Sequence, residues 1–265
     1  MTISKTFKKA VKIHMKETGE PYSVARKFVL ENGSHRNLGI PIGKDEANDK
    51  VYWNPQVCSH LLIGGKPVSG KTYFLNHLIK EMQGGGNNLI AFIDLKGMEY
   101  NSVNNLWRSV NDIDSGKKTI LEAEAVMEER YKDMQVTGIL NYRQLPNAPT
   151  IFVIIDEFNS FFPNKDLDPE DVAILKPLLN ILMLGRAAGI HLIITIQESS
   201  AIFSEIDLHI DARLALVVMS DNLYEIITYL EPTEVPLVTE KRFGEGTLRL
   251  HNWAGRLVIS EVSIK

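Results

Sequence analysis

The stretch His60-Leu61-Leu62-Ile63-Gly64-Gly65-Lys66-Pro67-Val68-Ser69-Gly70-Lys71-Thr72 decides how this chain folds. A short apolar run, Leu61–Gly64, leads into Gly65–Thr72, which has the spacing G-x-x-x-x-G-K-[ST]. An amphipathic helix is expected next, over Thr72–Met82, with Phe74, Leu75, Leu78 and Ile79 on one face. Strand, glycine-rich loop and helix in that order make a phosphate-binding loop. Gly65 and Gly70 let the backbone curl so that the N–H groups of Lys66, Pro67's neighbours Val68 and Ser69, and the following residues point inward. Lys71 can reach the outer phosphates, the Thr72 hydroxyl can bind Mg²⁺, and the helix N-terminus favours an anion.

Working outward, strands and helices alternate. Leu89–Leu95, Ile151–Ile155, His191–Ile196 and Leu214–Met219 read as short apolar strands. Ile120–Met134 and Asp171–Ala188 read as helices, the second bent at Pro177, and Gln83–Asn88 reads as a turn. Gly246–Leu250 and Leu257–Val262 are expected to form a β-hairpin around Ala254-Gly255. Apolar strands alternating with helices imply a mainly parallel sheet covered on both faces. The expected fold class is therefore α/β: a P-loop NTPase with a mainly parallel central sheet, helices on both faces, a short N-terminal helical arm and a C-terminal β-hairpin.

The run Ile151-Phe152-Val153-Ile154-Ile155 ends in Asp156-Glu157. A carboxylate at a strand end next to a P-loop holds the Mg²⁺ shell, and Asp156 fits that part. Glu157, one residue on, can turn toward the outer phosphate and polarise a water. Gln197 closes the run His191–Ile196 and is placed to sense the same phosphate.

Composition bounds the rest. Apolar residues make up 44% of the 265 and charged residues 23%, which excludes a disordered or collagen-like chain. No run of about 18 apolar residues is present, so no membrane span is expected. Met1 leads into a basic stretch without an apolar one behind it, so no secretory signal is expected. The single cysteine, Cys58, cannot form an internal disulfide, and a cytoplasmic setting is expected. The net charge of −4 is unevenly spread. Residues 1–36 hold eight basic and three acidic residues, a net of +5, against −9 for the remainder. The expected division is a basic helical arm over 1–36 and a P-loop domain over 37–265. Phe7, Ala10, Val11 and Met15 recur at helical spacing in the arm, with lysines on the other side.

These segments together resemble the motor domain of the FtsK/SpoIIIE-type DNA translocases, within the FtsK–HerA group of P-loop ATPases. Four stretches carry the resemblance: His60–Gly65 entering the loop, Asp94-Leu95-Lys96-Gly97-Met98-Glu99, Met127-Glu128-Glu129-Arg130-Tyr131-Lys132, and Gly185-Arg186-Ala187-Ala188-Gly189-Ile190-His191-Leu192 followed by Gln197. It implies that Lys71 and Thr72 act as the P-loop lysine and hydroxyl, Asp156 and Glu157 as metal-binding and catalytic acids, and Gln197 as a sensor. In such motors a neighbouring subunit supplies an arginine. Arg130 and Arg186 both match arginines with that kind of role, and Arg213 also matches a family arginine. The chain departs from the pattern twice. Pro67-Val68 stands where the family has Thr-Gly, and Ile196-Gln197-Glu198-Ser199 where it has Thr-Gln-Arg-Pro.

The resemblance implies a RecA-like fold and an ATP- and Mg²⁺-dependent translocase of double-stranded DNA, working as a homo-oligomeric ring, expected to be a hexamer, of the short form found on plasmids, phages and integrative elements. A separate docking or membrane protein is a conceivable further partner. Two alternatives stay open: a coupling ATPase of a conjugation or secretion apparatus, and a nucleotide-binding interaction module with little turnover.

Overall fold

The computed structural model describes residues 11–12, 15, 21–24, 39–95, 106–162, 169–198, 200–216, 245–250 and 253–259. The chain divides into two compact units, Met1–Ile40 and Pro41–Lys265. In the first, residues 22–24 are helical and the Val24 N–H donates to the Pro21 carbonyl. Most of the expected basic arm lies outside the described residues. The fold below is that of the second unit.

Strand runs of β-branched and aliphatic residues pair into a ten-stranded sheet among the described residues. The strands are β1 (Ile40–Lys44), β2 (Lys50–Trp53), β3 (Leu61–Gly64), β4 (Asn88–Asp94), β5 (Leu106–Val110), β6 (Thr150–Asp156), β7 (Ile190–Ile196), β8 (Ala212–Leu216), β9 (Glu245–Leu250) and β10 (Trp253–Val258). Their spatial order is β2-β1-β10-β9-β8-β3-β7-β6-β4-β5. From β8 to β5 every pairing is parallel, whereas β8–β9, β9–β10 and β10–β1 are antiparallel. The helices are α1 (Lys71–Gly84), α2 (Ile113–Thr137), α3 (Pro169–Ala188) and the short α4 (Ala201–Ile206).

Strand alternation sorts the sheet residues between two layers. Ile151, Val153 and Ile155 of β6 and Ile190, Leu192, Ile194 and Ile196 of β7 join Ile120, Ala123 and Met127 of α2 and Ile174, Leu178 and Ile181 of α3 in one core. The intervening residues, including Phe152, Ile154, His191, Ile193 and Thr195, are also buried, on the opposite face. Such two-sided burial is why the parallel strands read as continuous apolar runs.

Several boundaries differ from the sequence expectation. Helix α2 starts seven residues earlier than Ile120 because Asp112 caps it, its carboxylate accepting from the Ser115 N–H at 2.8 Å. That hydrogen bond also holds the Asp112 carboxyl below its ordinary pKa. At its far end Gly138 takes the left-handed conformation, φ 67°, that stops a helix. Helix α1 runs on through Gly84, so the turn is confined to 85–87. The C-terminal hairpin exists, but its turn does not fall at Ala254-Gly255. Those residues lie inside β10, opposite Arg249 and Leu248, and the closing pair is Leu250–Trp253. The connection is only residues 251–252, so the glycine marks a strand interior. Of the expected strand Leu214–Met219, the described part is β8, and 217–219 lie outside the described residues.

Candidate functional site

The loop after β3 is positioned by the sheet itself. The Gly65 N–H donates to the Ile196 carbonyl at 3.1 Å, which fastens the loop to the carboxyl end of β7. Lys66–Ser69 then form a tight turn closed by the Ser69 N–H on the Lys66 carbonyl at 3.2 Å. Pro67 suits the second position of such a turn, and the third requires positive φ. Val68 occupies that position at φ 65°, with 89% of its surface exposed. A β-branched residue is strained there by about 1–2 kcal/mol. Gly70, at φ 98°, precedes the first turn of α1, and among the described residues no side chain caps that turn. Lys71 is buried, and its ammonium donates to the Gly65 and Lys66 carbonyls at 2.5 and 2.9 Å.

Three observations fit this loop to a phosphate chain. A Cβ on Gly65 would lie 2.6 Å from Ser69 Oγ and 3.1 Å from Leu216 Cβ, so a larger residue there would crowd Ser69 out of the floor of the loop. Among the described residues, none gives the buried Ser69 Oγ a hydrogen-bond partner. The uncapped amides of a 14-residue helix lie beside it. Among the described residues no group of three or more His, Cys, Asp or Glu could hold a metal ion. Thr72 and Asp156, the residues expected to hold Mg²⁺, are oxygen donors of the kind that ion takes, and it completes its shell with phosphate and water.

The acid pair sits at the end of β6, two strands from β3 in the order β3-β7-β6. Asp156 Oδ1 accepts from Thr195 Oγ1 at 2.6 Å. The chain kinks at the next residue, since Glu157 adopts φ 60°, ψ 63° and opens a one-turn 3-10 helix, Phe158–Phe161. The Glu157 N–H donates to Thr195 Oγ1 at 2.8 Å, and its Oε2 accepts from Gln197 Nε2. Just beyond, Asn159 donates to the Glu198 carbonyl at 2.7 Å and accepts from Ser200 Oγ at 2.8 Å. The tips of β6 and β7 are thereby stitched together. Asp94, at the end of β4, lies in register with Asp156 and is buried.

Both arginines singled out for a role in trans lie at the other end of the sheet. Arg130 on α2 is 6% exposed. Its guanidinium donates to the Ala188 carbonyl at 2.5 Å and the Pro149 carbonyl at 2.8 Å, and stands over the Tyr142 ring. Burial lowers its pKa. It is a clamp on the amino ends of β6 and β7. Arg186, in the last turn of α3, is exposed. Arg213 is buried and donates to the Ile210 and Asp207 carbonyls, so it too is committed inside the chain.

The glycines and histidine of the Gly185–Leu192 stretch serve packing. A Cβ on Gly185 would lie 2.3 Å from the Ile190 carbonyl oxygen. Gly189 has φ 73° and lies against the Tyr142 ring, where a Cβ would meet ring carbons at 2.5 Å. His60 accepts from the Leu192 N–H on Nδ1 at 2.9 Å, so Nε2 carries the proton it donates to the Leu182 carbonyl at 3.1 Å. His191 donates from Nδ1 to the Ser59 carbonyl at 2.8 Å. Burial lowers the pKa of His60 to about 3 and of His191 to about 4, and both rings are neutral.

Sequence reasoning missed Thr195. The available signal was a lone hydroxyl at the end of an otherwise aliphatic run, Leu192-Ile193-Ile194-Thr195-Ile196.

A model of the FtsK/SpoIIIE family matches residues 30–223. The chain is 29% identical over 225 residues to the DNA translocase FtsK of Listeria monocytogenes, covering 74% of this chain and 29% of that protein. It is 26% identical over 200 residues to the ESX secretion system protein YukB of Bacillus subtilis, covering 66% of this chain and 13% of that one. The chain thus spans less than a third of the length of these curated relatives. Among solved structures, the pCW3 conjugation coupling protein TcpA, determined with ATPγS, superposes with a TM-score of 0.72 at 18% identity, over 83% of this chain and 65% of that one. The cytoplasmic domain of the type VII secretion ATPase EccC of Thermomonospora curvata superposes at 0.69 and 18% identity, over 85% of this chain and 29% of that one. Both likenesses are of fold, and they agree with a mainly parallel α/β sheet of the P-loop ATPase kind.

Proposed function

Since the chain belongs to the FtsK/SpoIIIE family, we propose that it is an ATPase that drives double-stranded DNA through a homo-oligomeric ring, a hexamer in this reading. The observation that carries the proposal is the continuous set of hydrogen bonds from loop to acids. Gly65 binds the tip of β7, and Thr195 and Gln197 of that tip bind Asp156 and Glu157.

In this reading the amides of Gly65–Thr72 and the Lys71 ammonium hold the phosphates of ATP. Thr72 and Asp156 hold Mg²⁺, which when bound neutralises phosphate charge. Glu157 orients the attacking water and takes up its proton, while the Gln197 amide aims the carboxylate. Arg130 is spent inside its own subunit, so Arg186 is the arginine offered to a neighbour's phosphates. Its position at the opposite end of the sheet from its own loop suits service in trans. DNA is tracked along its phosphates, without sequence readout, and the basic residues 1–36 add a salt-sensitive grip. The reading places the protein in the cytoplasm, where ATP and DNA both are. Among the described residues, no helix is long and apolar enough to cross a membrane.

The test is ATP turnover by wild type and Glu157→Gln, at several protein concentrations, with and without double-stranded DNA. Turnover per subunit should rise as rings form and rise again with DNA, and the variant should bind ATP but hydrolyse at least about 100-fold more slowly. Equal rates in the two proteins would favour a nucleotide-binding module, a reading supported by the strained Pro67-Val68 turn. Turnover indifferent to DNA but raised by a secretion or conjugation substrate would favour a coupling ATPase, a role consistent with the match to YukB.

A further inference from the structure

A buried hydroxyl on a strand interior requires partners, and Thr195 is fully buried on β7. Its partners are the two acids of the site. Oγ1 donates its one proton to Asp156 Oδ1 at 2.6 Å and accepts the Glu157 N–H at 2.8 Å. Strand alternation makes this possible. Thr195 and Asp156 follow the register pair Ile194–Ile155 by one residue, and both point away from the core that holds Ile155, Ile194 and Ile196. A threonine one position later, at Ile196, would face the opposite layer. The pattern that the chain otherwise resembles has its threonine at that later position, where Ile196 stands here.

The consequences follow from hydrogen-bond geometry. With Oδ1 held by a donor, Asp156 is fixed as an acceptor on that side and its χ2 rotation is arrested. With its N–H held, Glu157 is pinned in the left-handed conformation, φ 60°, that a non-glycine residue adopts at a cost. Its side chain is thereby set toward Gln197, which binds Oε2. One hydroxyl thus fixes the rotamer of one acid and the backbone of the other.

We infer that Thr195 is a positioning residue that locks Asp156 and Glu157 together, and so sets both the Mg²⁺ dependence of nucleotide binding and the aim of the hydrolytic base. The inference rests on the ATPase reading given above. It differs from a packing role in a way that substitution can separate. Thr195→Val keeps the volume and loses the hydroxyl, Thr195→Ser loses volume and keeps the hydroxyl, and Thr195→Ala loses both.

The experiment uses the full chain. A fluorescent non-hydrolysable ATP analogue is titrated by anisotropy in Mg²⁺ and in EDTA, kcat and KM for ATP are measured, and a thermal midpoint is recorded for each variant. Val and Ala should both lose most of the affinity gained from Mg²⁺ and lower kcat by roughly 10- to 100-fold, as removal of a ligand's hydrogen-bond partner does. Ser should restore both. If Val behaves as wild type while Ser and Ala are impaired, the residue acts by packing and the inference is overturned. It is equally overturned if Ser fails as badly as Val. Glu157→Gln runs beside these variants. Should wild type turn over no faster than Glu157→Gln, the ATPase reading falls, and the Mg²⁺-to-EDTA affinity ratio still decides the role of Thr195.

Discussion

Mild acid should destabilise this fold through two buried histidines far from the loop. His60 and His191 have folded-state pKa values of about 3 and about 4, against 6.5 for an ordinary imidazole. Desolvation is the main cause for both, and His191 additionally depresses His60. The unfolded chain therefore binds protons that the folded chain refuses. The stabilisation from keeping these rings neutral is fully present above the unfolded pKa and is lost as pH falls below it. Between pH 7 and about pH 5.5 the unfolded rings gain most of a proton each while the folded rings gain almost none. The loss is about 1.3 kcal/mol per ring, or about 2.5 kcal/mol for the pair. His77, whose pKa burial also lowers, adds to it in the same direction. Most carboxylates remain ionised over this window, so the rings dominate. Urea unfolding followed by circular dichroism at the two pH values measures the difference. His191→Phe gives the isolating control. It leaves the Ser59 carbonyl without its donor and lowers stability at every pH, but it should remove close to half of the pH dependence. An unfolding midpoint that does not move between the two pH values would refute the assignment of neutral buried rings. So would a His191→Phe protein with the wild-type pH dependence.

Two further outcomes concern the arginine clamp and the glycine beside it. Arg130→Ala strands the Ala188 and Pro149 carbonyls and should cost about 2–4 kcal/mol in urea unfolding, whereas Arg186→Ala should change stability by less than about 0.5 kcal/mol and, under the proposed ring reading, instead lower ATP turnover. Equal stability losses in the two variants would contradict the placement of Arg130. Gly189→Ala should cost about 2–4 kcal/mol, because it combines positive φ with a Cβ 2.5 Å from the Tyr142 ring. Gly138→Ala, at a similar φ but with open space around it, should cost only about 1 kcal/mol, and equal midpoints for these two proteins would show that the ring contact is not tight.

What the sequence determined by itself is what short-range physics controls. The loop Gly65–Thr72 is a run of local backbone conformations, each demanded by its own residue or its neighbour. Where the demand fails, at Val68, the strain is legible from the residue type alone. The apolar strands β3, β4, β6 and β7 and the acids closing β6 were equally plain, because burial on both faces leaves no alternation to confuse. Boundaries were less plain. The early start of α2 depends on Asp112, whose capping bond counts for more than the polar first turns that obscured the helix. The hairpin turn moved from Ala254-Gly255 because cross-strand register, not glycine content, fixes where a turn falls. The site beyond the loop was decided by which strands are neighbours. Residues 156 and 195 meet only because β7 inserts between β3 and β6, a placement made by the whole sheet. The fates of Arg130 and Arg186 were settled in the same way. Both are basic residues on amphipathic helices, and only the packing of α2 and α3 on the sheet brings carbonyls of residues 149 and 188 around one guanidinium and leaves the other in solvent. A hydrogen bond between residues 58 positions apart has no local signature, since its energy depends on distances that exist only once the chain has folded.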